Sequence, residues 1–185
     1  MPMKRKGLNI TKVIMNAEEM ERTINRMVHE IIERVGPKKN VAIVGIRTRG
    51  VPIAERILKK IQELEKVKVA SGTIDIALYR DDFFKGLASP EVGPSNLNFN
   101  VDGANIVLID DVIYTGRTVR AAIDAVMDYG RPASIMYAAL VDRGHRELPI
   151  QPDFVGKAVQ TGDNEAVAVY LKEIDDEDKV VVGEK

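Results

Sequence analysis

The chain has 185 residues, a formal net charge of -1 and no cysteine, which excludes disulfides, cysteine-ligated zinc and a thiol nucleophile. The charge also excludes a uniformly basic nucleic-acid-binding domain, though not a segregated basic face. With 45% hydrophobic and 30% charged residues, the composition is that of one well-solvated domain with a full core.

No apolar stretch approaches the ~20 residues of a membrane span. The basic start at Lys4, Arg5 and Lys6 leads into no apolar run and does not read as a signal peptide. The expected location is the cytoplasm. Asn16 with Glu19 three residues on resembles a capping box. Met20, Ile24, Met27, Val28, Ile31, Ile32 and Val35 then recur at helical spacing until Gly36-Pro37. Residues 41–45 read as a buried strand, and 46–50 as a loop with two arginines. Residues 51–64 read as a helix with Pro52 in its first turn. Alternation at Val69, Ile74, Ile76 and Leu78 predicts a strand over 67–78.

Periodicity fails over 79–103, where Asp81, Asp82, Gly86, Pro90, Gly93 and Pro94 fall. A loop of ~25 residues is uncommon in a domain unless it is functional or mobile. A strand at 105–109, a helix at 118–128 and a strand at 134–141 follow. The alternation predicts an α/β fold with a central, mostly parallel sheet flanked by helices. Beyond 141, Pro149, Pro152 and Gly156 punctuate short segments. Residues 167–174 and 180–182 predict a final hairpin, with the acidic run 175–178 as its solvated turn.

The chemistry gathers at one strand end. Ligands of open parallel sheets sit beyond the carboxyl ends of the strands, where Asp110 and Asp111 lie. Thr115-Gly116-Arg117-Thr118 then turns into a helix, whose N-terminal amides favour an anion. Gly116 permits close backbone approach, and Thr115 and Thr118 add hydroxyls. Two carboxylates beside a phosphate cradle suit sugar hydroxyls, or the hydrated Mg²⁺ that accompanies a diphosphate. The plainer alternative is a threonine that caps the helix beside two solvated aspartates.

Residues 106–119 resemble the phosphoribosyl-diphosphate (PRPP) signature of the type I phosphoribosyltransferases. Ile46-Arg47-Thr48-Arg49-Gly50, Leu78-Tyr79-Arg80-Asp81-Asp82 and Leu140-Val141-Asp142-Arg143-Gly144-His145-Arg146-Glu147-Leu148-Pro149-Ile150 are together similar to the PyrR family. These are bifunctional pyrimidine operon regulators with uracil phosphoribosyltransferase activity. The likeness runs from about residue 16 to 161, and the Asp142 to Pro149 motif makes it specific to the family.

The resemblance implies a type I phosphoribosyltransferase fold in one domain over 1–185, with a flexible loop at about 79–103 and a small C-terminal hood at about 142–185. The implied reaction is uracil plus PRPP giving UMP and diphosphate, with Mg²⁺ as cofactor. On this likeness Val112, Thr115, Gly116, Arg117 and Thr118 bind PRPP, the last four at its 5-phosphate. Asp110 and Asp111 take the ribose hydroxyls and stabilise the positive charge that develops as diphosphate leaves. Arg47, Thr48, Arg49 and Gly50 cradle the diphosphate, with a non-proline cis peptide expected near Thr48-Arg49. Arg80 meets the diphosphate from the loop. Mg²⁺ is expected to arrive with PRPP near Asp110 and Asp111, without direct ligation by the protein. Asp142, Arg143, Phe154 and Val155 are the implied base site.

The regulatory half implies UMP-dependent binding to an mRNA stem-loop of the pyrimidine operon, controlling transcription termination. Arg26, His29, Arg34, Arg146 and Lys157 match basic positions of the family's RNA face. Asn25 stands where many relatives have Thr, and Gln151 where relatives usually carry Arg. One lost phosphate contact lowers the salt slope of binding by about one unit. Homodimers or homotetramers are implied. The alternatives are a phosphoribosyltransferase without RNA regulation, an RNA-binding regulator with little catalysis, and a transferase for hypoxanthine or guanine.

Overall fold

The computed structural model describes residues 8–36, 40–81 and 95–184. Strand β1 (Asn9–Met15) leads into α1 (Ala17–Val35). Asn16 accepts from the Glu19 amide, and the Glu19 carboxylate accepts from the Asn16 amide. This reciprocal cap satisfies two amides that the first turn leaves unpaired. β2 (Val41–Ile46), α2 (Gly50–Glu65) and β3 (Ala70–Ile74) follow, then a 3-10 turn (Ala77–Tyr79) and β4 (Asn96–Leu97). β5 (Asn105–Ile113), α3 (Arg117–Met127), β6 (Ser134–Asp142) and β7 (Phe154–Ala158) complete the main body. β8 (Glu165–Tyr170), the single turn α4 (Lys172–Asp175) and β9 (Lys179–Glu184) end it.

Two sheets result. The larger has the order β4-β3-β2-β5-β6-β7, parallel except for β4. Alternation along β5 divides its side chains between two cores. Val107 and Ile109 face α1 and α2, whereas Ile106 and Leu108 face α3. The smaller sheet, β1-β9-β8, is antiparallel.

Several sequence expectations are corrected here. The predicted strand over 67–78 is cut to β3, because Asp75 accepts from the Ala77 amide and opens a 3-10 turn. The aperiodic stretch is also shorter than expected: β4 pairs with β3, and Leu97 and Phe99 pack on the α3-side core. Residues 82–94 of the predicted loop lie outside the described residues. The expected hood over 142–185 omits β1, which pairs with β9, while β7 joins the main sheet rather than the hood. The acidic run 175–178 is not simply a solvated turn. Asp175 accepts from Arg49 and Asp178 from Arg56.

Candidate functional site

β5 does not stop before its two aspartates but runs through them to Ile113. Asp110 is buried, with 5% of its surface exposed. Its Oδ1 accepts from the Asp111 amide at 2.9 Å, and its Oδ2 accepts from the Tyr137 hydroxyl at 3.3 Å. Burial first, and then the neighbouring Asp111 charge, push the Asp110 carboxyl well above its usual range. Burial likewise keeps the Tyr137 phenol protonated, so it remains a donor. Asp111 is half-buried.

The turn beyond β5 leaves backbone amides open to a cleft. Gly116 adopts φ 91°, in the left-handed region that side chains rarely enter, and no N-cap side chain closes α3. Thr115 Oγ1 reaches the Arg117 amide only at 3.3 Å. Backbone amides and hydroxyls therefore face a cleft of about 270 Å³, bounded also by Tyr137, Arg80 and Asp81. The Arg117 side chain is engaged elsewhere: it bonds Glu147 at 2.6 Å and also Asp81.

A second strand end lies alongside. The Arg47–Thr48 peptide is cis, one bond before the expected position. Arg47 and Thr48 are exposed. Arg49, expected at the diphosphate, is turned toward the β8–α4 corner. Its Nε donates to Val169 O at 2.9 Å and its Nη2 to Asp175 at 2.8 Å, with 12% of the side chain exposed. Arg49 instead pins the β8–α4 corner over the end of β2. Gly50 brings α2 against β5: a Cβ there would lie 2.3 Å from Ile109 O.

Beyond β6, a wide groove of about 720 Å³ runs between Asp142–His145 and 158–161. Arg143 is buried, with its guanidinium 4.0 Å from the Tyr114 ring centre and donating to Glu165 O at 2.9 Å. Its Nε is buried without a partner among the described residues. Burial would raise the Asp142 carboxyl, but the Arg146 guanidinium and the Gly144 amide hold it below its usual range. Phe154 does not reach this groove. It is 4% exposed and belongs to the core beneath α1, because β7 joins the main sheet. Val155 pairs through its backbone with Ala139.

A family model for the phosphoribosyl transferase domain matches residues 11–174. The bifunctional protein PyrR of Clostridioides difficile is 55% identical over 171 residues, covering 92% of this chain and 97% of the relative. That of Thermus aquaticus is 52% identical over 172 residues, covering 93% and 95%. This chain belongs to the PyrR family. Solved structures under 25% identity place the fold alone. A Staphylococcus aureus hypoxanthine phosphoribosyltransferase superposes with a TM-score of 0.70 at 15% identity, over 96% of this chain and 94% of that one. A Trypanosoma cruzi hypoxanthine phosphoribosyltransferase gives 0.68 at 18% identity, over 95% and 97%. The fold is that of the phosphoribosyltransferases.

The five basic residues matched to the PyrR RNA face divide sharply. Arg26 bonds Glu30 and the carbonyls of Val155 and Gly156. Arg146 bonds Asp142 at 2.6 Å, Tyr114 O at 2.9 Å and Ile150 O at 3.0 Å, and only 13% of its side chain is exposed. Lys157 donates to Ile14 O at 2.7 Å, tying β7 to β1. All three bond other parts of the fold; Arg26 and Lys157 are nonetheless exposed, whereas Arg146 is the most enclosed of the five. His29 and Arg34 are exposed on α1.

Sequence reasoning missed Tyr137, whose signal was a lone phenol in the apolar run of β6. It also missed Tyr114, the ring beneath Arg143. Among the described residues, no helix is long and apolar enough to cross a membrane. Nor does any group of three or more His, Asp or Glu side chains there form a metal cage. The hard-oxygen pair Asp110–Asp111 does fit Mg²⁺ that is shared with substrate oxygens.

Proposed function

We propose that the chain is a uracil phosphoribosyltransferase that also regulates the pyrimidine operon through UMP-dependent mRNA binding, with PRPP bound across the ends of β2 and β5. The observation that carries this reading is the uncapped first turn of α3, opening beside the buried Asp110 and half-buried Asp111. The PyrR likeness and the phosphoribosyl transferase domain support the activity.

The 5-phosphate sits on the amides of 116–118 and the hydroxyls of Thr115 and Thr118, where the helix dipole favours it. The ribose hydroxyls turn to Asp111 and Asp110. As the C1–oxygen bond to diphosphate breaks and uracil nitrogen attacks, positive charge spreads over the ribose ring. The two carboxylates are already in place, so they stabilise that charge without reorganising. Arg47, Thr48 and the N-terminus of α2 hold the diphosphate, with Arg80 meeting it. Mg²⁺ would neutralise the departing diphosphate, and Asp111, the more accessible carboxylate, is the residue that would meet its water shell. Uracil occupies the groove beside Asp142 and Arg143.

His29 and Arg34 present the RNA contacts. Cytoplasmic location and assembly into homodimers or homotetramers rest on the family resemblance. The test has two arms. UMP must form from uracil, PRPP and Mg²⁺, with hypoxanthine and guanine as competitors. UMP must also strengthen binding to the operon stem-loop over a scrambled RNA. No UMP formation overturns the enzyme, preferential use of a purine overturns the base, and equal RNA affinities overturn the regulator.

A further inference from the structure

The residues on either side of Arg80 are both held by α3. Arg120 Nη2 donates to Tyr79 O at 2.8 Å, and its Nη1 is steadied by Asp124 one turn on, at 2.7 Å. The Tyr79 phenol donates to Asp128, just past the end of the helix. Arg117 donates to Asp81. Two side chains of α3 and one just past its end therefore hold the residues before and after Arg80, and Arg80 lines the cleft that the same helix opens with its N-terminal turn. The hydrogen bond to Asp128 pushes the Tyr79 phenol up to about 12, so the proton stays on its oxygen at neutral pH.

We propose that Arg120, Tyr79 and Asp128 are positioning residues that set Arg80 over the diphosphate subsite before PRPP arrives. None of the three lines the cleft, so they act through the backbone of Arg80. Their gain is preorganisation: an arginine already in place loses less freedom when it meets its anion. The helix that receives the 5-phosphate also locates the group that meets the diphosphate. The proposal rests on the assignment of Arg80 to the diphosphate.

PRPP carries a diphosphate and UMP does not, which separates positioning from general support of α3. The experiment is calorimetric titration of PRPP and of UMP, with Mg²⁺, into the full-length wild type, Arg120→Met, Arg120→Lys, Asp128→Asn, Arg80→Ala and the Arg80→Ala/Arg120→Met double variant. Arg120→Met is expected to lose PRPP affinity about tenfold, and UMP affinity less than about twofold. Arg120→Lys, which keeps a donor for Tyr79 O, should recover part of the loss, and Asp128→Asn should show a smaller loss of the same kind. The double variant should bind PRPP no more weakly than Arg80→Ala, because Arg120 acts through Arg80. Equal losses for PRPP and UMP, additive losses in the double variant, or unchanged PRPP affinity in Arg120→Met would each overturn the proposal. If Arg80→Ala itself binds PRPP normally, the assignment of Arg80 falls and the proposal with it.

Discussion

The Tyr137 hydroxyl donates to Oδ2 of Asp110, and both side chains are buried between β5 and β6. A carboxylate in such a place is disfavoured by burial and by the charge of Asp111, and the phenol is one of two donors that favour its ionised form. The pair thus holds the Asp110 carboxyl in one orientation while easing its charge.

Tyr137→Phe keeps the ring and removes that donor. The Asp110 carboxyl should rise further, so the acidic limb of kcat moves to higher pH. At neutral pH kcat should fall by about five- to tenfold, the worth of one hydrogen bond of ~1 kcal/mol. A full pH–rate profile checks both. An unmoved acidic limb would separate Tyr137 from Asp110.

Asp110→Asn should stabilise the protein as it disables it. A carboxyl raised above its unfolded value adds stability only while protonated, and that contribution is lost as pH rises through the folded value. Asparagine is neutral throughout. The variant's melting temperature should therefore exceed that of wild type by ~3 °C near neutrality, and the gap should close as pH falls. Loss of the charge should cost on the order of 100-fold in kcat. Differential scanning calorimetry across a pH series gives the first result and initial rates the second.

Gly50→Ala tests the close approach of α2 to the site. The new Cβ would lie 2.3 Å from Ile109 O and 3.2 Å from the Asp110 Cα, so β5 or α2 must shift. Overpacking of this kind costs about 1–3 kcal/mol. The urea midpoint should drop and kcat fall together, since the displaced atoms adjoin the catalytic carboxylate.

Arg146 and Arg34 should part company. Arg146→Gln breaks a mostly buried ion pair with Asp142 and frees three carbonyls, at a cost of about 3 kcal/mol. Melting temperature and uracil turnover should both suffer. Arg34→Gln should leave both unchanged, weaken stem-loop binding and lower its salt slope by about one unit. If Arg34→Gln binds RNA like wild type across a salt series, the RNA face does not include α1 there.

The parts of the fold governed by local rules were plain in the sequence. Asn16 and Glu19 announced α1, and the strand–helix alternation gave the parallel sheet. The turn at 115–118 was legible because its chemistry is contiguous. Partners far apart in the chain were not. Arg49 looked like an anion ligand, yet its charge answers Asp175. Arg146 looked like an RNA contact, yet it bonds three carbonyls and Asp142. A sequence shows that a guanidinium exists but not which acceptor takes it. Phe154 was misplaced for a related reason: β7 carries too little alternation to declare that it extends the main sheet. β1 was missed because its exposed residues mask a two-residue apolar end, Ile14 and Met15.

The pairing of β1 with β9, which sets Asn9 opposite Glu184, bears on how this enzyme is made. The 115–118 turn and the parallel sheet that carries it are complete by the end of β7. The small sheet above them needs the first strand and the last. During synthesis β1 therefore stays unpaired until β9 has emerged, while the parallel sheet can already assemble behind it. A chain cut before β9 would keep the 115–118 turn but leave β1 without its partner strand.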